Sequence, residues 1–207
     1  MTITNGYCTA AELATYMGGV TFSTPNSTNA EIAIEAASRA IDDYCNRVFY
    51  REDASAPYAA TLRRYDAYGD SATVDDFYDT TGLVIALDDD DDGTAETTLT
   101  TADYELRPLN GIDPLLGTVP YYRIRLRKQV FTGSPSCLHV TALWGWTAVP
   151  LQIKRACLVL SAEMMKDADT PFGVAGFDGF GAVRIRENPR VEQALRPFMR
   201  GDRVGIA

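Results

Sequence analysis

Twice along this chain the spacing of apolar residues changes its period, and that change constrains the fold more than any other feature. Up to Arg51 the pattern is helical, with Ile34, Ala37, Ile41, Tyr44 and Val48 recurring at three- and four-residue steps. From there the apolar runs are short and strand-like, separated by clusters of Gly, Pro and Asp. After Pro150 a helical stripe returns through Ile153, Ala156, Cys157, Leu160 and Met164. The simplest architecture is α+β: a helical bundle built from N- and C-terminal helices, with a β-rich insertion. The divisions this predicts are 1–56, the N-terminal helices of the bundle; 57–148, the β-rich insertion; 149–170, a central bundle helix; and 171–207, a glycine-rich loop and C-terminal segment.

Local signals fill in the elements. Thr9-Ala10-Ala11-Glu12 has the spacing of a capping box, and Gly18-Gly19 should stop the helix it opens. On the second helix, Ala33, Ala36, Ala37 and Ala40 leave a flank of little bulk where another helix can approach closely. Glu35/Arg39 and Asp43/Arg47 stand four apart on its outer side, pairs contributing about 0.3–0.5 kcal/mol each. Candidate strands are Thr61–Tyr68, Leu83–Leu87, Thr97–Thr101, Tyr121–Lys128 and His139–Trp146. A short last helix should open at Asn188-Pro189, with Pro197 limiting its length.

Composition removes several classes. With 207 residues, 46% of them hydrophobic and 23% charged, the chain can bury a sizeable core, which excludes a disordered, collagen-like or disulfide-stapled design. No apolar run approaches the ~20 residues of a membrane helix; the best, Ala142–Ile153, is broken by Gly145, Pro150 and Gln152. No Lys or Arg precedes Arg39, so the basic start of a signal or transit peptide is missing, and the expectation is a soluble, non-secreted chain with no membrane partner. Cys8, Cys45, Cys137 and Cys157 form no C-x-x-C pair, and His139 is the single histidine. That leaves no scaffold for zinc and reads as four small core residues in a reducing compartment.

Charge is unevenly shared. Residues 1–100 carry 18 acids and 5 bases, whereas residues 101–207 carry 10 acids and 14 bases. The net charge of −9 argues against a dedicated DNA-binding module. Opposite-signed halves suit a molecule that meets copies of itself or a complementary partner, or else two solvated surfaces. Arg123, Arg125 and Arg127 alternate with Tyr122, Ile124 and Leu126, placing three guanidiniums on one sheet face as a candidate subunit interface. From Ala182 onward six arginines (184, 186, 190, 196, 200 and 203) accompany Val191, Leu195, Phe198 and Met199, a composition that suggests docking on a partner.

Few residues invite chemistry. Asp88, Asp90, Asp92 and Gly93 fill positions one, three, five and six of a calcium loop, but position twelve, a bidentate Glu in that pattern, is Leu99, and the flanks are strand-like. The simpler expectation is a hairpin closed at Asp92-Gly93, its aspartates solvating an exposed edge, with calcium the weaker alternative. A nucleophilic mechanism would need His139 as its base, and no G-x-S-x-G elbow accompanies it. Asp75/Asp76 could do acid–base work but look like a solvated strand end. There is no phosphate-binding loop, and neither catalytic residues nor a cofactor are expected.

Four phrases together resemble the head-to-tail connector (adaptor, or head completion) family of tailed bacteriophages. They are Ala36–Phe49, which reads A-I-D-x-Y-x-x-R-x-F in its second part; Asp103–Asn110 after the Asp-rich hairpin; Val140–Trp146 with Val149-Pro150; and Asn188-Pro189-Arg190-Val191 through Leu195-Arg196-Pro197-Phe198. The resemblance spans most of the chain and is most like the long, β-inserted members. It implies a non-enzymatic structural protein of the virion neck, forming a ring, usually of twelve copies, between the portal and the stopper or tail, with DNA passing through unrecognised. It also implies that the C-terminal segment reaches the portal, which makes Arg190, Val191, Leu195, Arg196, Phe198 and Met199 candidate docking residues. The alternatives are another neck component (a stopper or tail-completion protein) and a calcium- or carbohydrate-binding β module resting on Asp88–Asp92 and the two tryptophans.

Overall fold

The computed structural model describes residues 3–23, 26–52, 59–133, 135–169 and 188–201, and among these the chain forms four α-helices and ten strands. It divides into two units, one from Met1–Tyr50 and Ala148–Arg200, the other from Arg51–Thr147. All four helices belong to the first and all ten strands to the second, an α+β fold.

Helix α1 (Ala10–Tyr16) starts where the capping box places it. The Glu12 N–H donates to Thr9 Oγ1 at 3.2 Å, and the Thr9 N–H donates to Glu12 Oε2 at 2.9 Å. Its end is closed by Gly18 and Gly19, whose φ of 96° and 79° lie in the left-handed region that glycine enters without strain. In α2 (Asn26–Cys45) the buried face is Ala30, Ala33, Ile34, Ala37, Ser38, Ile41 and Cys45. Cys45 holds the place expected of Tyr44, which is half-buried one step round the helix. Val48 is not on the helix at all. Asn46 adopts φ 52°, the chain turns, and Phe49 enters the core in its stead.

Helix α3 (Leu151–Asp169) follows Pro150, whose carbonyl accepts the Lys154 N–H at 2.9 Å. Ile153, Ala156, Cys157 and Leu160 are buried as expected, but the stripe then drifts to Ser161 and Met165, leaving Met164 half-buried. Small residues let α2 and α3 approach closely: Ser38 Oγ lies 3.5 Å from Cys157 Sγ. Helix α4 (Pro189–Leu195) packs on α3 and runs into a 3₁₀ turn at Arg196–Phe198. Its N-cap Asn188 accepts the Val191 N–H, with Pro189 in the first turn. No described helix is long and apolar enough to cross a membrane.

The β unit is an antiparallel sheet organised by one long strand. Its strands are β1 (Thr61–Tyr65), β2 (Tyr68–Gly69), β3 (Ser71–Leu87), β4 (Thr97–Thr98), β5 (Tyr104–Arg107), β6 (Ile112–Asp113), β7 (Gly117–Thr118), β8 (Tyr121–Leu126), β9 (Phe131–Thr132) and β10 (Leu138–Trp144). The N-terminal half of β3 pairs with β8, which in turn pairs with β5. Its C-terminal half pairs with β10 and β4, and β10 carries β1. β6 and β7 form a separate two-stranded ribbon.

The sequence reading catches only the last third of β3, because Asp75, Asp76, Asp79, Thr80 and Thr81 interrupt the apolar pattern. Remote partners explain why those acids are tolerated. The Arg63 guanidinium pairs with Asp75, the Tyr65 hydroxyl donates to Asp75 at 2.9 Å, and the Trp146 indole N–H donates to Asp76 at 3.0 Å. The core between them is Tyr65, Val74, Phe77, Ile85, Ile124, Leu138, Val140 and Trp144, each worth about 1.5–3 kcal/mol when buried.

Candidate interaction surfaces

The arginine face forms because β8 alternates strictly. Ile124 and Leu126 point into the core, and Arg123, Arg125 and Arg127 point to solvent. The β5–β8 register adds a fourth arginine that sequence inspection missed, since β5 carries no apolar run: Arg107 stands directly opposite Arg123. Like charges facing each other across strands are destabilising. Arg107 leans on Glu105, Arg125 Nε meets Asp70 at 2.9 Å, and Arg127 Nε donates to the Tyr104 carbonyl at 2.9 Å. Arg123 has no ion pair among the described residues. Arg107, Arg123, Arg125, Tyr122, Ser71, Pro108 and Leu109 line an open cleft of ≈ 470 Å³. Its chemistry fits carboxylates or another anion.

The C-terminal residues divide into two groups. Val191, Leu195 and Phe198 are buried in the chain's own bundle, at 2%, 0% and 2% exposure, while Arg190, Arg196 and Met199 are exposed. Among the described residues 188–201, Val191, Leu195 and Phe198 therefore pack inside the helical unit and are not open to a partner, which corrects their place among the candidate docking residues. The phrase A-I-D-x-Y-x-x-R-x-F supplies the contacts. Phe49 meets Phe198 edge-to-face at 5.7 Å, Arg47 Nη1 donates to the Phe198 carbonyl, Asn46 Nδ2 donates to the Arg200 carbonyl at 3.1 Å, and the Arg200 N–H donates to the Cys45 carbonyl at 2.9 Å. The glycine-rich stretch 171–181 and Arg184, Arg186 and Arg203 lie outside the described residues.

Tyr7 completes this junction and was not legible beforehand. Its hydroxyl donates to Asp42 Oδ1 and accepts the Phe49 N–H at 2.7 Å, and its ring meets Phe49 edge-on at 5.9 Å. Asp42 also pairs with Arg39 at 3.1 Å. Burial pushes the Asp42 carboxyl up to about 6, only partly countered by the Tyr7 hydroxyl and Arg39. Burial and the adjacent Asp42 charge likewise raise Tyr7. On the other side of the bundle, Lys154 and the Thr9 N–H hold Glu12 below the usual carboxylate range.

The acidic stretch is a hairpin tip, as expected, with Ala86 opposite Thr98 and Leu87 opposite Thr97. Asp88, however, does not solvate an edge. It is 1% exposed and accepts the N–H groups of Asp91 and Gly93 at 2.7 and 2.8 Å, whereas Asp89 to Asp92 are exposed. Gly93 at φ 87° makes that turn possible. Trp144 and Trp146 are 2% and 5% exposed, so neither ring is available to stack on a sugar. His139 is buried on β10, and Asp75 and Asp76 are tied to Arg63, Tyr65 and Trp146.

No family model and no curated protein matches this sequence. Among solved structures, a chain from the neck of an empty GTA particle, computed with C6 symmetry, resembles it at a TM-score of 0.48 and 17% identity, over 98% of this chain and 96% of that one. A likeness of that degree carries no argument about function.

Proposed function

We propose that the chain is a structural, non-catalytic head-to-tail adaptor of a tailed-phage neck, assembling as a ring on the portal and lining the DNA passage. The observation that carries this is the set of four connector-like phrases in family order, of which Asp42, Arg47 and Phe49 from the first and Phe198 from the last meet in one junction. The motif residues thus have a shared structural task. The ring contact is argued from the β unit. A cleft lined by Arg107, Arg123 and Arg125 faces solvent, and the same unit carries the exposed acids Asp89 to Asp92. Two different, charge-complementary patches on one chain make a heterologous contact, the kind that closes a ring. The acidic net charge would keep the DNA backbone from adhering to the passage. On this reading Arg190, Arg196 and Met199 are the portal-facing members of the C-terminal segment.

Electron microscopy of the purified chain, alone and mixed with the portal ring of the same phage, tests it. A closed ring stacked coaxially on the portal is the expected result and supplies the copy number. A chain that ignores the portal but caps a preformed adaptor ring would make it a stopper or tail-completion protein.

A further inference from the structure

The loop Asp88–Glu96 holds more than a hairpin needs. One carboxylate oxygen from each of Asp88, Asp90, Asp92 and Glu96 can be chosen so that all lie within 4.8 Å of one another. Calcium takes oxygen ligands at about 2.4 Å, so four such atoms can share one ion. Counted from Asp88, the four acids stand at positions one, three, five and nine, with Gly93 at six. Acidic clusters are common on surfaces, and this one would be unremarkable if all its members were solvated. Asp88 is not: it is 1% exposed.

The second observation is independent of the loop. His139, on β10, is 6% exposed, and its Nε2 is buried without a hydrogen-bond partner. That nitrogen faces Asp88 Oδ2 at 4.0 Å. A buried imidazole edge lacking a partner is uncommon, because the lost hydrogen bond is not recovered from water. The imidazole nitrogen is therefore aimed at one carboxylate of the cluster from beyond hydrogen-bond range, while Arg64, beside the loop, donates its Nη2 to the Gly93 carbonyl at 2.8 Å rather than pairing with any of the four acids.

We propose that this loop binds one divalent cation of the calcium type through Asp88, Asp90, Asp92 and Glu96, with His139 bracing Asp88 from the interior. A cation drawing on Asp88 reorients its carboxylate, and His139 Nε2 is the group placed to hold it in the new setting, as buried partners of metal ligands commonly do. The all-oxygen donor set favours a hard cation over zinc, and four protein carboxylates on one ion favour calcium over magnesium, which usually keeps several of its waters. Leu99, at position twelve, is buried and supplies no bidentate carboxylate, so affinity belongs at the weak end, a Kd of about 10⁻⁴–10⁻³ M. Asp90 and Asp92 also belong to the acidic patch of the proposed ring contact, so the site is tested on the unassembled chain, where that contact is not made.

The test uses the full chain. Calorimetric titration with calcium chloride should show one saturable site, and about 10 mM calcium should raise the melting temperature by several degrees. Because His139 is the sole histidine, its imidazole Cε1–H resonance is a single, assignable reporter that should move with the same saturation curve. The exposed pair D90N/D92N, first checked for unchanged circular dichroism without calcium, should weaken binding at least tenfold and abolish the resonance shift. Absence of saturable heat or of any melting shift up to about 10 mM calcium would overturn the proposal. So would a response that sodium chloride of equal ionic strength reproduces, or binding that survives D90N/D92N unchanged. Saturable binding with an immobile His139 resonance would remove the histidine from the site.

Discussion

Replacing Tyr7 by Phe removes one oxygen atom and tests whether the helical unit is joined as described. That oxygen is doubly engaged, donating to Asp42 Oδ1 and accepting the Phe49 N–H at 2.7 Å, with Tyr7 1% and Phe49 0% exposed. The ring, and its edge contact with Phe49, stays. The Phe49 N–H is then buried without a partner, at a cost of about 1–3 kcal/mol. Asp42 loses a donor but retains Arg39, which puts its share at the low end of the same range. The sum is roughly 2–4 kcal/mol. The assay can isolate the unit, because Trp144 and Trp146 both lie in the β unit while all four helices lie in the other. Urea unfolding followed by circular dichroism at the helix band should show the loss, while tryptophan fluorescence reports the β unit separately. A loss below about 1 kcal/mol at the helix band would refute the reasoning, since the hydroxyl would then be solvated or unpaired in the native chain.

Asp42 should also give the helical unit a pH dependence. Its folded carboxyl titrates near 6 against 3.8 for the free group, so between about pH 4 and pH 6 the native state binds the extra proton and stability falls as pH rises. Asp42→Asn should flatten that slope in melts across pH 4–7; an unchanged slope would place the titration elsewhere. Truncation after Ala182 removes Val191, Leu195 and Phe198, at about 1.5–3 kcal/mol each, and should unfold or severely loosen the helical unit; a helix band and melting curve like the full chain's would contradict this. Cys45, whose thiol burial pushes up to about 12, should resist iodoacetamide at pH 8 in the folded chain, as read by mass spectrometry of its peptide. Arg123→Glu with Arg125→Glu should abolish ring formation while leaving the melting temperature within a degree or two; rings that persist would move the subunit contact off this face.

The helices were legible because their determinants are local. Thr9 and Glu12 satisfy each other three residues apart, Asn188 caps Val191, and the α2 and α3 stripes follow from 3.6 residues per turn. Two errors there were one-step rotations, Cys45 for Tyr44 and Met165 for Met164, where neighbouring residues are similarly apolar and only packing chooses; the third, Val48, followed from the turn at Asn46, which ends α2 and sends Phe49 inward. The four connector-like phrases were visible too, but the geometry that Asp42, Arg47 and Phe49 share was not, since their partners Tyr7 and Phe198 are about 35 and 150 residues away.

By itself the sequence determined the class of fold, both ends of α1, the starts of α3 and α4, the alternation of β8 and the hairpin after Leu87, all of which rest on hydrogen bonds and periodicities spanning a few residues. Tertiary structure alone decided the fate of the polar residues. Asp75 and Asp76 belong to a strand because Arg63, Tyr65 and Trp146 meet them, Arg107 joins the arginine face because β5 pairs with β8, and Asp88 sinks beside His139 because β3 pairs with β10. A buried charge is tolerated only where a partner meets it; Asp88 finds the Asp91 and Gly93 N–H groups within its own turn, but Asp75 and Asp76 depend on distant parts of the chain that no local pattern records.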